Sequence, residues 1–257
     1  MDIQLKSDFI DRWNHYFPGS SLPIVFFYTG ETGEVELASP PEGTNCLICH
    51  LQAVREGKSL AFHKDNLRCG GARRSLGFSP QMGPNFKYFL SCGLPGEVEG
   101  ERYKQSPELV EAYLKNQKTL EAPEEYIVFK RWDALEPDDE PAVVIFYASP
   151  DELSGLFTLA SFDESEPDGV IAPFGSGCST IVQAPYLEGS SARPRAVLGM
   201  FDVSARPCVP GSQLTFSIPW SKFTRMLNNM DESFLITHSW QRVQPRLHPA
   251  AEKTDQA

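Results

Sequence analysis

Pro141-Ala142-Val143-Val144-Ile145-Phe146-Tyr147 is a proline-led apolar run, with Ser149-Pro150-Asp151-Glu152 just beyond it. The run reads as a strand, and the Ser-Pro-Asp-Glu sequence as a helix start ahead of Leu153, Leu156, Phe157 and Ala160. Pro23-Ile24-Val25-Phe26-Phe27-Tyr28 is a run of the same kind, closed by the turn chemistry of Gly30-Glu31-Thr32-Gly33. Outward from these two, Leu60-Ala61-Phe62-His63, Tyr126-Ile127-Val128-Phe129 and Leu214-Thr215-Phe216-Ser217-Ile218 are further strands. Leu5, Phe9, Trp13 and Phe17 recur at helical spacing and stop at Pro18-Gly19. A helix near Cys46, capped by Thr44 or Asn45, carries Leu47, Leu51 and Val54 on one face and ends at Gly57. Two more helices open at Pro107, through Leu109, Tyr113 and Leu114, and at Pro219, with Phe223, Met226, Leu227 and Met230. Ser79 to Pro107 gives the weakest signal of the interior. Strands and helices in this mixture predict an α+β class: one domain of mixed sheet and helices over residues 1–240, followed by a disordered tail at 241–257.

The halves at about 20–120 and 121–235 resemble one another. In each, a Pro-led strand is followed by a small-residue turn ending in cysteine, Cys46 or Cys178, then by Gly57 or Gly189, a strand and an Arg-bearing turn, Arg68-Cys69-Gly70 or Ala205-Arg206-Pro207. An internal repeat would place Cys46, Cys69, Cys178 and Arg206 around one central site.

The chain has 257 residues, 41% of them apolar and 11% aromatic, enough to bury a sizeable core. Its formal net charge of −11 repels nucleic-acid phosphates and anionic lipid, so neither is an expected partner. The start, Met1-Asp2-Ile3-Gln4-Leu5-Lys6, lacks a secretory pattern, and no apolar run reaches the roughly 20 residues of a membrane span. The expected location is cytoplasmic, where cysteines are read as thiols or metal ligands before disulfides.

Six cysteines are present, and four of them sit beside glycine or a capping residue. They are Cys46 and Cys49 of a Cys-x-x-Cys pair, Cys69 in Arg68-Cys69-Gly70-Gly71, and Cys178 after Gly175-Ser176-Gly177. Exposed backbone N–H groups beside a sulfur favour thiolate or sulfide. Four readings remain open. An iron–sulfur cluster accepts ligands from scattered loops, and its sulfides accept hydrogen bonds from Gly-rich backbone. Zinc is the runner-up, although it usually brings two paired knuckles. A redox dithiol would stand directly after a strand, and buried structural thiols need no site at all. Cys92 is a reserve ligand, and Cys208, between two prolines, is read as structural.

Arg68, Arg73 and Arg74 make a local positive field around Gly70-Gly71, with Arg193 and Arg195 as helpers and Arg206 contributed by the other half. This set, Arg68, Gly70, Gly71, Arg73, Arg74 and Arg206, is a candidate site for a small anion; the plain alternative is pairing with surface carboxylates. His50 and His63 lie near cysteines in sequence without forming a familiar constellation. No serine nucleophile elbow, P-loop, dinucleotide fingerprint or His-Glu-x-x-His is present. Whether the chain is an enzyme is therefore not legible.

Several stretches together resemble domain-of-unknown-function family one hundred and sixty-nine, also called ArCR. They are Pro23-Ile24-Val25-Phe26, Arg68-Cys69-Gly70-Gly71 with Leu76-Gly77-Phe78, Ala142 to Phe146 with Pro150 and Leu153, and Gly177-Cys178 followed by Phe201-Asp202 and Ala205-Arg206-Pro207. The resemblance spans about Leu5 to Met230. It implies one integral domain with a site at the cysteines, and the family's prevalence in anaerobes agrees with an oxygen-sensitive cluster. The leading expectation is a cysteine-ligated metal centre at Cys46, Cys49, Cys69 and Cys178, most simply an iron–sulfur cluster for electron transfer or redox sensing with an unknown redox partner. The alternative is a non-redox protein that binds a small anionic ligand, its cysteines merely packing.

Overall fold

Val143–Ala148, the strand at the core of the opening stretch, is buried along its whole length. In the computed structural model, which describes residues 1–39 and 45–247, it is the fifth of eight strands in one sheet. The strands are β1 (Ile24–Thr29), β2 (Glu36–Leu37), β3 (Leu60–Phe62), β4 (Tyr126–Arg131), β5 (Val143–Ala148), β6 (Val170–Ile171), β7 (Ala196–Gly199) and β8 (Leu214–Pro219). Their spatial order is β2-β3-β4-β1-β5-β8-β7-β6. The helices are α1 (Ile3–Tyr16), α2 (Leu47–Arg55), α3 (Gly70–Ser75), α4 (Phe86–Phe89), α5 (Pro107–Asn116), α6 (Pro150–Ala160), α7 (Ala184–Glu188), α8 (Trp220–Asn229) and α9 (His238–Gln241). The architecture is the expected single domain of mixed sheet and helices.

Read outward from the central β1–β5 pair, both flanks have the same plan. On one side come β4, β3 and β2; on the other, β8, β7 and β6. The outermost pairs, β2–β3 and β6–β7, are parallel, and every other neighbouring pair is antiparallel. This is a likeness of topology; a repeat of sequence is not shown. The expected boundary near residue 120 is misplaced for it, because β4 pairs with β1 and β3 and so belongs with the first four strands.

Side chains alternate along a strand, so each strand feeds two faces. Val144 and Phe146 of β5, Val25 and Phe27 of β1, and Phe216 and Ile218 of β8 join α1, α6, α8 and α9 in one core cluster. Val143, Ile145 and Tyr147, with Ile24 and Phe26, face the other way into a second cluster with α2, α3 and the segment from Cys178 to Leu187. Local chemistry explains the helix ends. Ser149 and Glu152 form a reciprocal capping box at α6, with Pro150 in the first turn. Gly57 ends α2 with a φ of 105°, a conformation costly for any residue with a Cβ. The cap of α2 is Cys46 itself; Thr44, one of the two caps expected from sequence, lies outside the described residues.

The chain stays ordered past the expected limit at 240. Gln244 Nε2 donates to the carbonyls of His15 and Tyr16, and Leu247 is buried in the first cluster. Residues 241–247 therefore belong to the fold, and the rest of the proposed tail lies outside the described residues. Among the described residues, no helix is long and apolar enough to cross a membrane.

Candidate metal centre

Three cysteines stand at helix starts on the second face of the sheet. Cys46 caps α2, Cys69 caps α3, and Cys178 precedes a π-helical turn, Ser179–Gln183, that leads into α7. Such turns are rare and recur at functional sites. The matching flanks bring them together: the α2 segment lies between β2 and β3, and the π-helical segment lies between β6 and β7. The meeting point is Gly177, where an added Cβ would lie 3.0 Å from Met200 Sδ, 3.1 Å from Ile48 Cγ1 and 3.3 Å from Ala205 Cβ. Only glycine lets these three segments approach so closely. Gly199 does the same for the π-helix and β7, since its Cβ would come within 2.5 Å of Thr180 Oγ1.

Cys178 is buried within the second core cluster, and Cys46, Cys69 and Cys208 pack against it. Burial pushes the Cys178 thiol well above its ordinary range, and negative charge on Cys46, Cys69 or Asp202 pushes it further. The Cys46 thiol is also raised, chiefly by burial and then by Cys69 and Asp202, against the opposing pull of the Ile48 and Cys49 N–H groups that point at its sulfur. Asp202 is a residue whose role was not foreseen. Its carboxylate accepts from Gly177 N at 2.9 Å and from Ser204 N and Oγ at 3.1 and 2.8 Å, tying the Cys178 turn to the loop after β7. Met200, in the same loop, is fully buried with a φ of 67°, a left-handed conformation that costs on the order of 1–3 kcal/mol outside glycine.

Cys49 departs from the expected ligand set. It is disulfide-bonded to Cys208, with a Cα–Cα distance of 4.8 Å, so Cys208 is part of the cysteine group and not a detached structural thiol. The sulfurs of Cys46, Cys49 and Cys208 all lie within 4.8 Å of one another. Sequence gave no signal for this pairing, because 159 residues separate the two partners. Cys92 is exposed and lines a different hollow, formed with Leu94, Val98, Gly100 and Arg102.

Beneath the cysteines, β5 and β8 present three buried hydroxyls without a hydrogen-bond partner: Tyr147, Thr215 and Ser217. Tyr147 stands opposite Thr215, and Ile145 opposite Ser217, so all three share the cysteine face. Burial raises the Tyr147 phenol far above its ordinary range, with Arg55 over its ring at 4.3 Å opposing the effect of Cys178 and Cys46. Tyr147 is thus a protonated donor beside the thiols. In sequence it read only as a strand residue.

The arginines are largely engaged elsewhere. Arg73 Nε donates to Leu67 O and Arg74 Nη1 to Pro80 O, both at 2.6 Å. Arg206 donates to the carbonyls of Gln213, Pro210 and Gly211, clamping the loop before β8. Arg193 and Arg195, the expected helpers, pair with Asp168 and Glu188. Arg68 is exposed, and the Gly70-Gly71 turn is open, an added Cβ at Gly70 meeting nothing within 4 Å.

No curated protein and no solved structure matches the chain. A family model does, over residues 21–229, which takes in every strand and all the cysteines described above. The chain belongs to that family, domain of unknown function 169, described as uncharacterised ArCR.

Proposed function

We propose that the protein carries a cysteine-ligated metal centre, an iron–sulfur cluster, and uses it for electron transfer or redox sensing. The observation that carries this reading is the gathering of Cys46, Cys69 and Cys178, from three separate segments, around one buried sulfur, that of Cys178, with Cys46, Cys69 and Asp202 partly exposed beside it. There, negative charge on any of Cys46, Cys69 and Asp202 raises the Cys178 pKa. Anions close together around a buried sulfur are unfavourable, so Cys178 and Cys46 resist ionisation without a cation. A thiophilic metal reverses those interactions and turns the same groups into ligands.

Cys46, Cys69 and Cys178 are the proposed ligands, with Cys49 as the fourth once it is released from Cys208. When bound, a cluster would supply one-electron chemistry. The chain's own contribution is positioning: the Ile48 and Cys49 amides point at the Cys46 sulfur, Gly177 lets the Cys178 turn approach α2, and Tyr147 offers a buried O–H. Hydrogen bonds to cluster sulfurs and exclusion of solvent are levers that set such a centre's potential. Zinc is the second reading, favoured by the compact Cys46, Cys49 and Cys208 group, which offers three thiolates once the Cys49–Cys208 bond is reduced, and by zinc's taste for thiolates. The anion-binding alternative is supported less well, since Arg73, Arg74 and Arg206 spend donors on backbone carbonyls.

Purification without oxygen, followed by a visible spectrum, tests the reading. Broad visible absorption and a brown colour are expected. A colourless protein with bound zinc would select the second reading, and a colourless, metal-free protein stabilised by small anions would overturn both.

A further inference from the structure

We infer that Cys208 is a redox gate on this centre: bonded to Cys49 it withholds a ligand, and reduction of the bond releases Cys49 to the metal. The inference rests on the metal-centre reading. Its first support is position. Cys49 lies at the start of α2 beside Cys46, and the Cys46 sulfur is within 4.8 Å of both members of the disulfide. Cys49 can therefore exchange one sulfur partner for a metal shared with Cys46 by a local change.

The second support is that the loop holding Cys208 is fixed by other means. Arg206 donates to three carbonyls, Asp202 holds Gly177 and Ser204, and Ala205 and Val209 are buried. Opening the bond leaves these contacts in place, so Cys208 stays near enough to recapture Cys49. Access is the third support. Cys46, Cys49 and Cys208 are all partly exposed, whereas Cys178 is buried, so a reductant meets the disulfide before it meets the deepest thiol.

The chemistry balances with a dithiol as reductant. One of its thiolates attacks the Cys208 sulfur and Cys49 leaves as a thiolate. The second thiol of the reductant then displaces Cys208. The protein disulfide takes two electrons and two protons, and the dithiol becomes a disulfide. An oxidising disulfide runs the exchange in reverse. In a reducing compartment, a bond of this kind serves as a sensor more often than as a brace.

Titration of the full chain with Co2+ alone, followed by thiolate-to-cobalt absorption, tests the gate. The oxidised protein is compared with protein reduced by dithiothreitol and desalted without oxygen. Reduced wild type should bind Co2+ more than about tenfold tighter than oxidised wild type, since loss of a ligand exceeds the ~10–100-fold cost of disturbing a ligand's support. Cys208→Ser should bind like reduced wild type whether or not it has been treated, and Cys49→Ser should bind weakly in both states. Equal binding by oxidised and reduced wild type, a comparison that needs no variant, would overturn the gate and leave the centre standing. Weak binding by Cys208→Ser would make Cys208 a ligand and also overturn the gate. If no form binds Co2+ and treatment with iron and sulfide leaves the chain colourless, the centre itself fails and the gate with it.

Discussion

The two faces of one sheet are built by different rules. On the first, rings of Phe9, Trp13, Trp132, Phe146 and Phe223 pack edge to face and stacked, with centroids 4.4–6.5 Å apart. Its large buried polar groups are matched: Trp132 Nε1 donates to Lys6 O, Trp240 Nε1 donates to Tyr16 O, and the buried ammoniums of Lys130 and Lys222 meet carboxylates, with Asn229 Nδ2 and Ser20 Oγ as exceptions. The second face holds three unpartnered hydroxyls, a π-helical turn, a left-handed Met200 and a buried Cys178 thiol whose ionisation is disfavoured by burial and then by Cys46 and Cys69. The first face satisfies most local preferences and supplies stability. The second violates several together, which in a folded protein marks a place shaped for something other than stability.

The contrast breaks or sharpens under mutation. The largest effect is expected on the aromatic face, at the fully buried Lys222 and its partner Glu164. Glu164→Ala would strand that ammonium and remove a partner of Arg225, at a cost of about 3–5 kcal/mol in denaturant unfolding. Lys222 first, then Arg225, holds the Glu164 carboxyl below its ordinary value of 4.5. A lowered folded pKa contributes stability that is present above the unfolded value and lost as pH falls through the folded one. Wild type should therefore lose stability below about pH 4.5 more steeply than Glu164→Ala does. Parallel acid limbs would remove this pair from the account.

A smaller effect of opposite sign is expected on the cysteine face. Thr215→Val keeps the shape and deletes a hydroxyl that has no partner, so it should be neutral or stabilising by about 1 kcal/mol. A loss of similar size, measured by the same unfolding curve, would mean that the hydroxyl is satisfied and the two faces are not so different.

The aromatic face was nearly legible in the sequence, because its determinants are local. Four-residue spacing gave Phe9 and Trp13, and Ser149-Pro150-Asp151-Glu152 spelled out a cap that the structure completes. The cysteine face was legible only as a list of thiols. Which of them meet depends on strand order, and the edge strands β2 and β6 are two residues each, too short to carry a pattern. The Cys49–Cys208 bond, the anchoring by Asp202 and the donors of Arg206 all depend on contacts distant in sequence or on turns that composition does not encode. The arginine cluster was legible as charge, whereas the carbonyls that take donors of Arg73, Arg74 and Arg206 were not. The interior from Ser79 to Pro107 was weak in signal and remains sparse in structure, with only α4 and a single bridge between Leu94 and Val98.

The claim that the second face is a metal centre is tested most directly by iron and acid-labile sulfide analysis of oxygen-free Cys178→Ser beside Cys92→Ser. Cys178 is buried in the cysteine layer, and Cys92 lies exposed in a separate hollow. Loss of iron and sulfide from Cys178→Ser, with wild-type content in Cys92→Ser, is the predicted result. Full retention of both in Cys178→Ser, or their loss from Cys92→Ser alone, would contradict it.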